Sequence, residues 1–340
     1  MRESTAGIAV GLLCLSSTVH AEAVFSFSPR ASLYYDNISQ RQSGIDVSAS
    51  NAQADVAATN EVLRQILGPT AAFSIAELDS AASSNQVEFP LYGGTFTFGS
   101  ETTQIAITGL YGEAEVDLHS IFTAQSQLAF NGFLATDLLI GNMDGVSEVE
   151  RLDVEATVQH RLNETFSFIG GLRYESIEQK ITSTLNFTSS RNVSNLLSAL
   201  SGGDISIGLR EIPSDVINES TIDIWSLRFG AAAYAPVGEH HLFYVNGLLQ
   251  ASYSPQYTGD SHSVPRDPAF PVRDEEFTFE SETTIGPDIS VGYMYRFTDR
   301  FAFDVRYRAI AYFPIEGTSD FDDPRVNHGV NAGFTIWFAN

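Results

Sequence analysis

The chain has 340 residues, with 42 Asp plus Glu against 18 Lys plus Arg, a formal charge of −24 and an apolar share of 43%. So few cations exclude a nucleic-acid binder, because such proteins hold phosphates through Lys and Arg. Aromatic residues at 11%, set in patterned runs, exclude a disordered acidic chain, and no Pro- or Ser-rich linker divides the sequence, so one large domain is expected.

At the N-terminus, Arg2 precedes an apolar stretch from Ala6 to Leu15, and Val19, His20 and Ala21 place small or apolar residues where a signal peptidase reads. Residues 1–21 read as a cleaved signal peptide and 22–340 as a single mature domain. The apolar core falls short of the roughly 20 residues of a spanning helix. Cleavage after Ala21 removes Cys14, the one cysteine, so the exported chain would hold neither disulfides nor a thiolate metal site.

Beyond the signal, no apolar run is long enough for a transmembrane helix, and period-two alternation takes over. It marks ten strands, at about 24–36, 90–98, 102–112, 149–162, 165–182, 219–235, 239–254, 279–297, 300–313 and 326–338. In 165–182, for instance, Phe166, Phe168, Gly170, Leu172 and Tyr174 share one face, and Ser167, Gly171, Arg173 and Glu175 the other. These runs exceed the usual five or six residues of soluble strands and suit a tilted membrane strand of about 9–11 residues.

Tight turns at Gly99 to Glu101, Asn163 and Glu164, Pro236 to Glu239, and Thr298 and Asp299 alternate with long polar excursions at about 39–88, 113–147, 183–217, 256–276 and 315–324. Short turns on one side and long loops on the other predict an all-β fold, a transmembrane antiparallel up-and-down β-barrel of ten strands. The dipeptide Asn131-Gly132 offers an alternative of twelve strands if it is a short inner turn. Ten is preferred, because alternation continues from Ile105 past Ala114, Val116 and Leu118 and leaves no room for an outer turn before Ser120.

Short helices are expected in the loops. Residues 51–67 end at Gly68 and Pro69, Phe73, Ile75 and Leu78 follow in a weaker segment, and Val193, Leu196, Leu197 and Leu200 have helical spacing.

The last strand aligns Val326, His328, Val330, Ala332, Phe334, Ile336 and Phe338 on one face, with aromatics at its end and Ala339 and Asn340 beyond. In this strand, and in pattern over the whole mature chain, the sequence resembles the outer-membrane β-barrel proteins of Gram-negative bacteria. The resemblance implies an outer-membrane location, lipopolysaccharide as surroundings and the barrel assembly machinery as a partner.

Alternation sends Asp153, Glu155, Arg161, Arg173, Glu175, Arg228, Asp288, Arg296, Asp304, Arg306 and Arg308 into the lumen. Opposite charges facing each other across a narrow barrel would fill it with Arg–carboxylate bridges, and the same groups across a wider one would select solutes. The function expected is therefore a structural or surface-interaction role, non-enzymatic, with at most a narrow polar pore. The alternative is a porin-like channel for small polar or cationic solutes drawn in by acidic loops.

Sites for chemistry are sparse. His240 and His241 are adjacent, so on a strand they would face opposite ways, and His262 near Asp260 and Asp267 prompts a third reading, an outer-membrane protease. Asp320, Asp322 and Asp323 form a weak metal candidate, and the acidic loops suggest diffuse calcium or magnesium binding without a dedicated cofactor.

Overall fold

The computed structural model describes residues 24–36, 64, 72–82, 87–131, 133–189, 214–266, 272–315 and 324–338. Outside them lie the signal segment 1–21, the helical expectations at 51–67 (Arg64 excepted) and 192–200, Asp267, and the Asp320, Asp322 and Asp323 cluster.

Each alternating run forms a strand. In chain order these are β1 (Val24–Asp36), β2 (Ala72–Ala82), β3 (Val87–Gly99), β4 (Thr103–Phe130), β5 (Phe133–Arg161), β6 (Phe166–Ser189), β7 (Ser214–Val237), β8 (His241–Ser254), β9 (Tyr257–Pro265), β10 (Arg273–Phe279), β11 (Glu282–Thr298), β12 (Phe301–Pro314) and β13 (Arg325–Phe338). Ten of them close a barrel in the order β1-β3-β4-β5-β6-β7-β8-β11-β12-β13, every pairing antiparallel. The seam is β1 against β13, from Phe25↔Phe338 to Asp36↔Asn327.

The four tight turns lie at one rim, between β3 and β4, β5 and β6, β7 and β8, and β11 and β12. Gly238 takes φ 66° in the β7–β8 turn, a conformation that a Cβ disfavours. At this short-turn rim the Asn163 side-chain oxygen accepts from the backbone N–H groups of Thr165 (2.8 Å) and Phe166 (2.9 Å).

The opposite rim is uneven, and here several expectations need correcting. The stretch 113–147 is no loop: β4 and β5, of 28 and 29 residues, stay in register from Thr103↔His160 to Phe130↔Phe133. Asn131, with φ 45°, turns the chain at the far tip of this hairpin, which removes the twelve-strand alternative. At about 3.3 Å per residue, the roughly 18 residues beyond a membrane span of about 10 carry the hairpin some 60 Å along its strands past the lipid.

The weak helical segment at Phe73, Ile75 and Leu78 is the strand β2, pairing with the outer half of β4 from Ala72↔Ala129 to Ala82↔Ser120. An unpaired edge on β4 is the reason, since an exposed row of N–H and C=O groups recruits a neighbouring segment. The excursion 256–276 likewise folds as β9 and β10, with β9 on the outer half of β7 from Ser214↔Pro265 to Ser220↔Gly259. Together β10-β9-β7-β6-β5-β4-β2 make a wall rising from one side of the barrel, while β1, β8, β11, β12 and β13 stop at the rim.

Around the barrel, Phe96, Phe168, Leu172, Phe229, Val291 and Phe334 point outward, each more than half exposed. The inward positions between them are polar or charged, including Thr95, Ser167, Arg173, Arg228, Ser290 and Thr335, all buried. Water would not leave so continuous an apolar band uncovered, whereas hydrocarbon solvates it, so the chain crosses a membrane with its strands. Among the described residues no helix is long and apolar enough to do so.

Candidate functional site: the charged lumen and the acidic wall

The inward positions of successive strands bring Arg and carboxylate side chains together in three groups. In the largest, Arg325 grips Asp36 through Nε (3.1 Å) and Nη2 (2.6 Å), and Arg151 Nη1 donates to the same carboxylate at 3.2 Å. Arg173 binds Asp153 in a fork of 2.9 and 2.6 Å and meets Glu175 at 2.8 Å. Glu175 also pairs with Arg325 and lies 3.4 Å from Arg151. Tyr312 accepts from Arg173 at 2.7 Å, and Asn327 donates to Asp36 at 3.0 Å. Three guanidinium groups (Arg151, Arg173, Arg325) thus face three carboxylates (Asp36, Asp153, Glu175), all of them buried.

A second group is also balanced. Arg308 forks onto Asp288 at 2.8 and 2.6 Å and reaches Glu155 at 3.1 Å, while Arg228 meets Asp288 at 2.8 Å and pairs with Glu155. The third group is Arg30 with Asp304 at 3.0 Å, braced by Asn331 (2.9 Å) and Thr95 (2.8 Å). A charge taken out of water is tolerated when paired and hydrogen-bonded, and bidentate forks meet that condition. Next to the first group, Tyr34, Phe89, Leu91, Leu110, Val149, Ile177, Ile222 and Ile224 pack into an apolar cluster, with the Tyr34 and Phe89 rings 5.6 and 5.7 Å from the Arg151 guanidinium. Charged forks and apolar packing together occupy the lumen.

Of the residues that alternation sends inward, Asp153, Arg173, Glu175, Arg228, Asp288, Asp304 and Arg308 are buried in the lumen, and Glu155 and Arg306 are partly buried there. Arg161 and Arg296 are exposed at the short-turn rim, where Arg161 donates to the Asn163 carbonyl at 3.1 Å and Arg296 lies 5.7 Å from the Trp337 ring. Sequence reasoning missed Arg30, Asp36, Arg151 and Arg325. Arg151 has the parity of Asp153 and Glu155, Arg30 and Asp36 the parity opposite to the outward Phe25 and Leu33, and Arg325 the parity opposite to Val326 and Val330, so the same alternation read along β1, β5 and β13 finds them.

The outer face of the wall is acidic. Register sets Glu113, Glu150 and Glu178 side by side on β4, β5 and β6, and Glu115, Glu148, Lys180, Glu219, Asp260 and Glu276 in the next row. All nine are exposed. The Tyr111 hydroxyl lies 2.8 Å from Glu113 and 2.9 Å from Glu150. Lys180, the one lysine, binds Glu219 at 2.7 Å, which raises its pKa. An open cleft of about 510 Å³ is lined here by Lys180, Glu219, Asp260, His262, Asp274 and Glu276.

His262 pairs with Asp274 at 2.5 Å, not with Asp260, and His119 with Asp144 at 2.5 Å. His240 and His241 do not face opposite ways, because His240 belongs to the turn. Both rings lie against Tyr295, at 6.0 and 5.1 Å. Among the described residues no group of three or more His, Cys, Asp or Glu is arranged to hold a metal ion.

No protein-family model matches the chain, and no curated protein does. Solved structures similar in fold include the outer membrane protease OmpT from Escherichia coli, at 10% identity, covering 95% of this chain and 99% of that one with a TM-score of 0.41. Others are the translocator domain of the autotransporter NalP from Neisseria meningitidis (8% identity, 93% and 88% covered, TM-score 0.30) and an outer membrane channel from Pseudomonas putida F1 (9%, 94% and 97%, 0.27). Likenesses this distant carry no argument about activity, and the ten-strand closure stands on its own register.

Proposed function

We propose that the protein is an outer-membrane barrel of a Gram-negative bacterium, exported by a cleaved signal peptide, with a structural or surface-interaction role and no enzymatic one. The observation that carries this reading is the lumen, where Arg151, Arg173, Arg228 and Arg308 bridge to carboxylates of other strands instead of lining an aqueous passage. Arg308 to Glu155 and Arg325 to Glu175 tie β12 to β5 and β13 to β6 across the barrel, and a solute would have to break them to pass. The acidic wall is then the working surface, presented beyond the membrane among lipopolysaccharide, and the barrel assembly machinery is the partner for insertion.

Single-channel recording in planar bilayers tests the reading. Purified wild-type protein is expected to pass almost no current. Steady cation-selective conductance of porin size would overturn it in favour of a channel for small polar or cationic solutes.

A further inference from the structure

The buried charge of the lumen is balanced group by group, apart from one residue. Among the described residues, seven guanidinium groups (Arg30, Arg151, Arg173, Arg228, Arg306, Arg308, Arg325) meet six carboxylates (Asp36, Asp153, Glu155, Glu175, Asp288, Asp304) between the two rims. The three groups described above take up six cations and all six anions. Arg306 is left over: among the described residues no carboxylate lies within ion-pair distance of it, and its buried Nε has no hydrogen-bond partner. An uncompensated cation inside a barrel is costly, so something of opposite charge is expected beside it.

The surroundings of Arg306 supply a hydrogen-bond donor for that partner. Register puts Tyr244, Gly292 and Arg306 side by side on β8, β11 and β12. Gly292 has no side chain, and the Tyr244 ring lies over it: a Cβ there would come within 2.2 Å of Tyr244 Cζ and 2.4 Å of its hydroxyl. The phenol is thereby laid across the neighbouring strand toward the guanidinium, and its hydroxyl makes no hydrogen bond among the described residues. A phenol, with an ordinary pKa near 10, is neutral at physiological pH and cannot itself be the counter-charge. It can donate a hydrogen bond to one.

Arg306 lies six positions from the Arg300 end of the β11–β12 turn, on the short-turn side of the charged groups formed by Arg308 and Arg325. On its other side Asn331 is spoken for, donating to Ser32 at 2.5 Å and accepting from Arg30. We propose that Arg306 and the Tyr244 hydroxyl together hold one small monovalent anion, a halide or formate, inside the barrel. Its single charge brings the seven cations and six anions of the described residues to neutrality, and a small anion suits a place bounded by Tyr244 on one side and Asn331 on the other.

The test compares the thermal melting of the full-length protein, refolded in a non-ionic detergent, in chloride, bromide, formate and gluconate salts at one ionic strength. Chloride, bromide and formate are expected to shift the transition upward, saturably, relative to gluconate. Gly292→Ala, whose new methyl displaces the Tyr244 ring, should weaken that response, and Arg306→Gln should abolish it. Line broadening of chloride NMR by folded wild-type protein, reversed by bromide competition, reads the same site without a variant, so a failure of Arg306→Gln to fold leaves the proposal testable. Equal melting in all four salts with no excess chloride broadening would overturn it, as would an undiminished response in Arg306→Gln.

Discussion

Replacing Glu175 with Gln probes the lumen at its most connected point. The carboxylate is 2% exposed and serves Arg173 at 2.8 Å, Arg151 at 3.4 Å and Arg325, with the Tyr312 hydroxyl at 3.4 Å. Gln has nearly the same shape, so packing is conserved and only the charge goes. Three guanidinium groups then share two carboxylates, Asp36 and Asp153, and the new amide N–H₂ group turns a donor toward donors. Breaking a buried pair by removing one partner costs about 3–5 kcal/mol, and three cations depend on this one, so the upper part of that range is expected. Urea unfolding in lipid vesicles, followed by the fluorescence of Trp225 and Trp337, measures it. A loss below about 1 kcal/mol would refute the reasoning, because that is what a water-screened surface pair is worth, and the lumen would have to be wet.

Three further outcomes are expected. Val305→Arg puts a cation on the outward face of β12 beside Tyr293 and Ala332, and near mid-membrane it should cost about 2–4 kcal/mol in the same unfolding assay; an unchanged midpoint would put that face in water. On the wall, hydrogen bonds from Arg266 (2.9 Å) and Thr184 (2.9 Å) hold the Asp215 carboxyl below its ordinary value of 3.8. A depressed folded pKa means that the pairing stabilises above the unfolded value and is lost as pH falls through the folded one. Carboxyl NMR should therefore find the Asp215 midpoint below 3.8 and see it rise in Arg266→Gln; equal midpoints would dismiss the pair. Finally, the rows containing Glu113, Glu150 and Glu178 place like charges about 4.8 Å apart against an anionic lipid surface, within one Debye length. Removing calcium and magnesium should lower the melting temperature in lipopolysaccharide and leave it unchanged in phosphatidylcholine. No difference between the two lipids would discard diffuse cation bridging.

Alternation with period two was enough to show a membrane barrel, to favour ten strands over twelve, and to place the tight turns and the face of each strand that meets lipid. That is local information: successive side chains on a strand point to opposite faces whatever the strand pairs with. Phe166, Phe168 and Leu172 declare the lipid face and Arg173 and Glu175 the lumen without any knowledge of neighbours. The inward parity of Asp36 and Arg151 was equally present within 24–36 and 149–162, and that of Arg325 one residue before 326–338. The partners were not present in the sequence. Arg325 and Asp36 are 289 positions apart, and only closure of β13 onto β1 brings them to 2.6 Å. The same closure sorts the charges into three balanced groups and leaves Arg306 over. Alternation ran on past Ala114, Val116 and Leu118 but could not show that β4 and β5 stay paired beyond the membrane as a wall. A strand that leaves lipid keeps its period and changes only what its outward face meets, so Glu113, Glu115 and Asp117 looked like a loop until β2, β6 and β7 were seen to pair around them.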